Sequence, residues 1–312
     1  MSYTIYGWYK GYEENRFELG MALWLQNELQ RKYNTDVNLV VEDSNDKYYV
    51  NEGDKFKIPH HVSYIIENNE TKKFIVIDYS DDCGQVFGLT TFKNFVGIFS
   101  SQHNQYKIDK DVPDENLRKL ILPINYRETN WNFGQYYDYI QEHRRQNTLD
   151  KRLHFRGSVY PNLRNCIPII LQTHPKDVYF HGRTSFDEYI QESVSFKLTL
   201  SMGMSPYSSD ICYRDIEMFG LGIPVLRPEF RIKMQDPLLP NVHYISCDVD
   251  LDPYTLWTTN HQQTAEQIYE RYLSVIDNDE LLNYVTSNAR EWYLRNIAEP
   301  TPVNNILNLV NI

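Results

Sequence analysis

The chain has 312 residues, 41% hydrophobic and 23% charged, a balance that excludes wholesale disorder and suits one large domain or two of about 150 residues. Its formal net charge is -11 with no Lys/Arg block, which disfavours DNA or RNA as a bulk ligand yet leaves room for a nucleotide, which needs only two or three local positive charges. No run approaches roughly 18 consecutive apolar residues, so no membrane span is expected.

From the N-terminus, strands are expected at Tyr3–Gly7, Val37–Glu42, Phe74–Asp78, Val96–Ser100 and Leu120–Pro123. A helix over Glu13–Tyr33 carries Phe17, Met21, Leu25 and Leu29 four apart on one face. A polar, aromatic-rich stretch over 131–150 reads as a connecting segment. Beyond it, strands at Leu153–Arg156, Val178–Gly182, Phe196–Ser201, Pro224–Leu226 and His243–Ser246 alternate with helices at Asn162–Thr173, Ser185–Ser193 and Ile211–Leu221. Two further helices follow, Gln262–Ile276 and Glu280–Asn296, before Pro300 and Pro302 stop the pattern.

Strand–helix alternation on this scale predicts an α/β protein with parallel sheets covered on both faces. The economical arrangement is two Rossmann-like domains facing each other across a cleft, 1–130 and 151–280. The helices of 281–312 could pack back on the first domain. Ligands then bind beyond the carboxyl ends of the strands.

The opening MSYTIYGWYKGYEENRFELG lacks the basic-then-apolar layout of a signal peptide. The four cysteines, Cys83, Cys166, Cys212 and Cys247, form no CxxC pair and read mostly as reduced core residues. These features predict a soluble, cytoplasmic protein. The nine histidines offer no ligand pattern: His60-His61 is a tandem pair in a Pro-flanked loop, and His154 and His181 lie on expected strands. No metal and no cofactor are expected. The 25 tyrosines fit a sugar- or base-binding cleft, and equally the codon usage of an AT-rich genome.

Strand ends carry the candidate chemistry. LHFRGS ends the first strand of the second half, where Gly157 permits a tight turn and Arg156 and Ser158 can meet phosphate; Arg164 follows. FHGRTS ends the second, with Gly182, Arg183 and hydroxyls. SMGMSPYSSD ends the third, with Ser208, Ser209 and Asp210. Three such ends on one edge can present guanidinium and backbone N–H groups to a diphosphate.

The third end leads into ICYRDIEMFGLGIPVLRP. Asp210 is placed to cap a helix, and Gly220 and Gly222 to close it. Asp210, Arg214 and Glu217, four and three apart, share a helix face at an entrance suited to anions. The same spacing also describes a surface salt-bridge ladder; the position at a third phosphate-capable strand end favours a ligand site. In the first half, FIVID runs into YSDDCG, and Asp78, Asp81 or Asp82 could serve as a general base or simply open the next helix.

These residues resemble the exostosin-like glycosyltransferases and the related capsule-associated and protein O-glucosyltransferase family, which share the GT-B architecture. The likeness runs over Leu153 to Pro228: LHFRGS with Arg164, then FDEYIQESVSFKLTLSMG, then YRDIEMFGLGIPVL. It implies that Arg214 binds the donor diphosphate and Glu217 the ribose, with Arg156, Gly157, Ser158 and the Ser208-Ser209 loop lining the donor site. FIVIDYSD resembles the segment that supplies the base, which assigns Asp81, with Asp78 and Asp82 as alternatives. Gly220-Leu221-Gly222-Ile223-Pro224 departs from the exostosin pattern, which has Cys before Pro. The membrane anchor and luminal disulfides of eukaryotic members are not seen, which favours a bacterial or viral enzyme.

The expectation is a metal-independent inverting glycosyltransferase. It would move a sugar from a nucleotide-sugar, most simply a UDP-sugar, to a hydroxyl of a glycan or glycoconjugate acceptor. Retaining GT-B enzymes often carry a Glu eight positions before the second, and here that position is Ser209. The alternatives are a non-catalytic nucleotide- or carbohydrate-binding module, a sugar-nucleotide epimerase, or a GDP-fucose-dependent fucosyltransferase-like enzyme.

Overall fold

The computed structural model describes residues 2–9, 16–43, 48–51, 53–58, 63–80, 83–124, 133–157, 163–182, 185–203, 211–252, 258 and 260–298. They form two units, one within Met1–Trp131 and Ile232–Gln235, the other within Asn132–Arg231 and Asp236–Glu299.

The first unit runs β1 (Tyr3–Tyr9), α1 (Arg16–Tyr33), β2 (Val37–Asp43), β3 (Tyr48–Asn51), β4 (Asp54–Lys57), β5 (Ser63–Asn68), β6 (Phe74–Asp78), β7 (Phe95–Ser100), α2 (Gln105–Asp111), α3 (Glu115–Arg118) and β8 (Ile121–Pro123). Its sheet has six strands in the order β2-β1-β5-β6-β7-β8, while β3 and β4 pair separately as a hairpin. Alternate residues of β6 serve two cores. Ile75 and Ile77 join Met21, Leu25 and Leu29 of α1, whereas Phe74 and Val76 join Val86, Phe92, Ile98 and Ile108. Each fully buried leucine or methionine of that α1 stripe contributes about 1.5–3 kcal/mol.

One strand of this sheet departs from the expected five. β5 is not among them, and it is antiparallel to both neighbours, β1 and β6. Its six residues are all buried, including Ser63, Glu67 and Asn68, whose polarity masks the pattern of a core strand. Glu67 accepts from Tyr49 Oη at 2.8 Å and pairs with Lys72 at 3.1 Å, so the hairpin and the β5–β6 turn satisfy it.

The second unit runs α4 (Tyr137–Gln146), β9 (Leu153–Arg156), α5 (Cys166–Thr173), β10 (Val178–His181), α6 (Phe186–Ser195), β11 (Thr199–Leu200), α7 (Tyr213–Leu221), β12 (Val225–Pro228), β13 (Ile245–Cys247), α8 (His261–Val275) and α9 (Asp279–Tyr293). Its five strands are all parallel, in the order β10-β9-β11-β12-β13. The expected α/β class, with two Rossmann-like units, is therefore present.

Two segments expected outside this unit belong to it. α4, expected as a connector, is anchored by Gln141 Nε2 donating to Leu221 O and Gly222 O, and by Arg144 Nη1 donating to Phe196 O at 2.7 Å. α9, expected as a tail that could pack on the first domain, lies against α7, where Arg290 Nη1 donates to Gly220 O at 2.7 Å. Among the described residues no helix is long and apolar enough to cross a membrane.

Candidate functional site

Strand order places the site. In sequence the second sheet reads 2-1-3-4-5, so the chain leaves β9 on one side for β10 and returns on the other to β11. The carboxyl ends of β9 and β11 flank this switch point, where open α/β sheets take their ligands.

β9 ends in Arg156 and Gly157. Gly157 has φ +148°, and a Cβ there would lie 3.0 Å from Arg214 Nη2 and 3.5 Å from Arg164 Nη1. Two guanidinium groups thus converge on the glycine, and both cover the Phe155 ring, at 4.8 Å for Arg214 and 5.4 Å for Arg164. The Gly157 N–H donates to His181 O at 3.0 Å and continues the ladder to β10. The glycine therefore contributes space, not the free N–H that the turn suggested. Arg164, buried in the short 3-10 turn before α5, covers Phe155 of β9 and donates to Met202 O just beyond β11, so it ties together the two strands that flank the switch point.

Arg214 sits in the first turn of α7. Its Nη2 donates to the carbonyl of Arg156. Its Nε and Nη1 are buried with no hydrogen-bond partner among the described residues. Burial works against the Arg214 charge, and the Glu217 carboxylate beside it opposes that effect, so the guanidinium stays protonated. Glu217, one turn on, is raised above the ordinary carboxylate range, chiefly by burial and despite the opposing effect of Arg214. The pair is thus half-buried and coupled, unlike an exposed surface ladder.

The helix entrance itself is already occupied. α7 begins at Tyr213 with Cys212 at its N-cap. The carboxylate that serves it is Asp215, whose Oδ2 accepts from Cys212 N at 2.9 Å. This corrects the assignment of Asp210 as the cap. Asp215 is also paired with buried Arg227 Nη1 at 2.6 Å. An internal carboxylate at the N-terminus meets the helix dipole there, so the anion-binding capacity lies with the Arg214 side chain, over the space that Gly157 leaves.

Arg156 has a different occupation from the one expected. Its Nε donates to Glu192 Oε2 at 2.6 Å, its Nη2 to Glu192 Oε1, and its Nη1 to Gly182 O at 3.0 Å. That bidentate pair clamps β9 to α6 and to the turn after β10. Glu192 is lowered below the ordinary range, mainly by these bonds from Arg156. His154, behind it, is pushed down to about 3 by burial and then by the Arg214 charge, and it stacks on Phe196 at 4.6 Å. It is a neutral core residue.

Sequence reasoning missed Tyr189, Glu192, Asp215 and Arg227. Tyr189 and Glu192 lie within the α6 tract already singled out, and an arginine inside the apolar run VLRP was a signal that a buried partner must exist. Ser158, Arg183, Ser208, Ser209, Asp210, Asp81 and Asp82 lie outside the described residues.

Of the three candidate bases, Asp78 is described. Its Oδ1 accepts from Ser63 Oγ at 2.8 Å and Ser80 N at 3.2 Å, and its Oδ2 from Ser100 Oγ at 3.2 Å. It is fully buried, and burial raises its pKa to about 6. Both oxygens are thus engaged in holding β5, β6 and β7 together.

No protein-family model matches the sequence, and no curated protein matches it. Among solved structures the chain is similar to Anabaena Alr3699/HepE in complex with UDP and glucose, at 11% identity and a TM-score of 0.49, covering 75% of this chain and 71% of that one. It is similar to a glycosyltransferase from Rickettsia africae ESF-5 at 11% identity and a TM-score of 0.44, covering 96% and 83%. It is also similar to a mutant of S. aureus TarM in complex with Fondaparinux, alpha-GlcNAc-glycerol and UDP, at 14% identity and a TM-score of 0.39, covering 80% and 62%. The chain spans less than two thirds of the length of TarM.

Proposed function

We propose that this chain is a glycosyltransferase of the GT-B type, similar to the exostosin-like and capsule-associated O-glucosyltransferase group, that uses a nucleotide-sugar donor. The observation that carries the reading is the Arg214 guanidinium at the β9–β11 switch point, held over Gly157 with Nε and Nη1 unmet among the described residues. Such a group suits the diphosphate of a donor, and Glu217 beside it suits the hydroxyls of a ribose. UDP is the proposed nucleotide. Ser158, Arg183, Ser208, Ser209 and Asp210 are proposed to line the same donor site. Arg156 contributes to it through its backbone carbonyl and its clamp on Gly182.

In the proposed reaction an acceptor hydroxyl, on a glycan or glycoconjugate, attacks the anomeric carbon and inverts it. Asp81 removes the hydroxyl proton, with Asp82 as the alternative. Asp78 is the weaker candidate, because its oxygens are taken by three donors. Arg214 stabilises the charge that develops on the departing diphosphate, so no metal is required.

A thermal-shift panel of UDP, GDP and CMP, free and as their sugars, tests the donor class, since a ligand of the native state alone raises the melting temperature. UDP and a UDP-sugar are expected to give the largest shift. Arg214→Ala is expected to weaken UDP binding by roughly 100-fold. Full binding by Arg214→Ala would remove the diphosphate role, and transfer abolished by EDTA would remove the metal-free mechanism.

A further inference from the structure

The donors at the β9–β11 edge extend beyond the residues that the charge pattern names. Tyr189 is on α6, and its hydroxyl is buried with no hydrogen-bond partner among the described residues. Arg214 Nε and Nη1 are in the same condition, and the Arg214 guanidinium carbon lies 5.9 Å from the Tyr189 ring centroid. Glu217 is the carboxylate in this neighbourhood, near enough to interact with the phenol and the guanidinium, although the phenol makes no hydrogen bond of ordinary geometry to either. Burial first, and then the Glu217 charge, raise the Tyr189 phenol well above its ordinary range, so it keeps its proton and stays a donor at neutral pH. A buried donor left unmet costs about 1–3 kcal/mol. Three such donors in one place suit a ligand that brings several acceptor oxygens. A phosphate group does so, and a neutral phenol beside a guanidinium can hold its second oxygen.

We propose that the Tyr189 hydroxyl donates a hydrogen bond to a phosphate oxygen of the bound nucleoside diphosphate, next to Arg214. The proposal rests on the nucleotide-sugar reading above, and it makes α6 part of the donor site through a residue outside its charged pattern.

The test is calorimetric titration of the full chain with UDP and with inorganic pyrophosphate. The proteins are wild type, Tyr189→Phe, Glu217→Gln and the double variant. Tyr189→Phe is expected to weaken both probes by roughly tenfold, in the wild-type and Glu217→Gln backgrounds alike, with a melting temperature within about 2 °C of its parent. Unchanged affinity for both probes overturns the proposal. So does an effect that vanishes with Glu217→Gln, because the phenol would then act through the carboxylate. Pyrophosphate binding without UDP binding, still weakened by Tyr189→Phe, leaves the phosphate contact standing and removes the nucleotide reading. Binding of neither probe by wild type removes both. Tyr189→Met, which keeps apolar volume without the hydroxyl, carries the same expectations should Tyr189→Phe fail to fold.

Discussion

The two units keep their buried charge in different company. In the first, Asp78 receives three donors and Glu67 is met by Tyr49, Asn51 and Lys72. In the second, Asp215 Oδ2 takes Arg227 and the Cys212 N–H while its Oδ1 stays unmet, and Arg214 beside it keeps two nitrogens without a partner among the described residues. All are polar groups inside an α/β unit, so burial alone does not separate structure from function. The kind of group left over does. A charge paired with an opposite charge of the chain holds elements together, even with an acceptor oxygen to spare, whereas a cation with donors left over calls for a ligand that brings acceptor oxygens.

The strongest way to break this contrast is at Asp215. Asp215→Ala leaves Arg227 buried without its counter-charge and frees the Cys212 N–H at the head of α7. We expect a loss of about 3–5 kcal/mol in urea unfolding. Replacing the pair together, as Asp215→Leu with Arg227→Met, should recover most of it, since both desolvation costs disappear. If Asp215→Ala keeps wild-type stability, ion-paired and unpaired charges in this unit cannot be told apart by their partners.

A second, slightly smaller effect concerns Asp78. Its folded pKa of about 6 against an ordinary 3.8 means that the folded protein binds the proton more tightly than the unfolded chain. The associated stability is fully present below the lower value and is lost as pH rises through the upper one. The difference corresponds to about 3 kcal/mol. Asp78→Asn removes that titration. The stability of wild type relative to Asp78→Asn should therefore fall between pH 4 and pH 6 and level off above, as read from chemical denaturation at each pH. A difference independent of pH would show that the three donors already compensate the buried charge.

How far these roles were legible in the sequence differs by unit for the same physical reason. β9 and the Arg214–Glu217 spacing are local features, carried by four- and nine-residue stretches, and the sequence pattern places them well. β5 escaped notice because its buried polar residues find partners far along the chain: Ser63 at Asp78, and Glu67 at Tyr49. Local periodicity cannot see such contacts. Asp215 stood in plain view beside Arg214, but its partner Arg227 lies beyond the helix, on the next strand, so the charge looked like part of a stripe. The cap at Cys212 was missed because Asp210 is the better cap by residue type, and the helix begins two residues later than that preference suggests.

The smallest expected effect sharpens the contrast inside the second unit, between two arginines 58 residues apart that share one hydrogen bond. Arg156, at the end of β9, and Arg214, in the first turn of α7, look equivalent as cations at the donor-site edge. Arg156, however, has its side chain closed by Glu192 and Gly182, and it meets Arg214 only through its backbone carbonyl. Arg156→Gln should therefore change UDP affinity by less than about threefold, against the roughly 100-fold expected for Arg214→Ala. The salt dependence of binding supplies the second reading. Removing a charge that touches phosphate flattens it, whereas removing one already neutralised by Glu192 leaves it as in wild type. A large loss with a flattened salt response in Arg156→Gln would mean that the Glu192 clamp opens on binding and that both arginines reach the diphosphate.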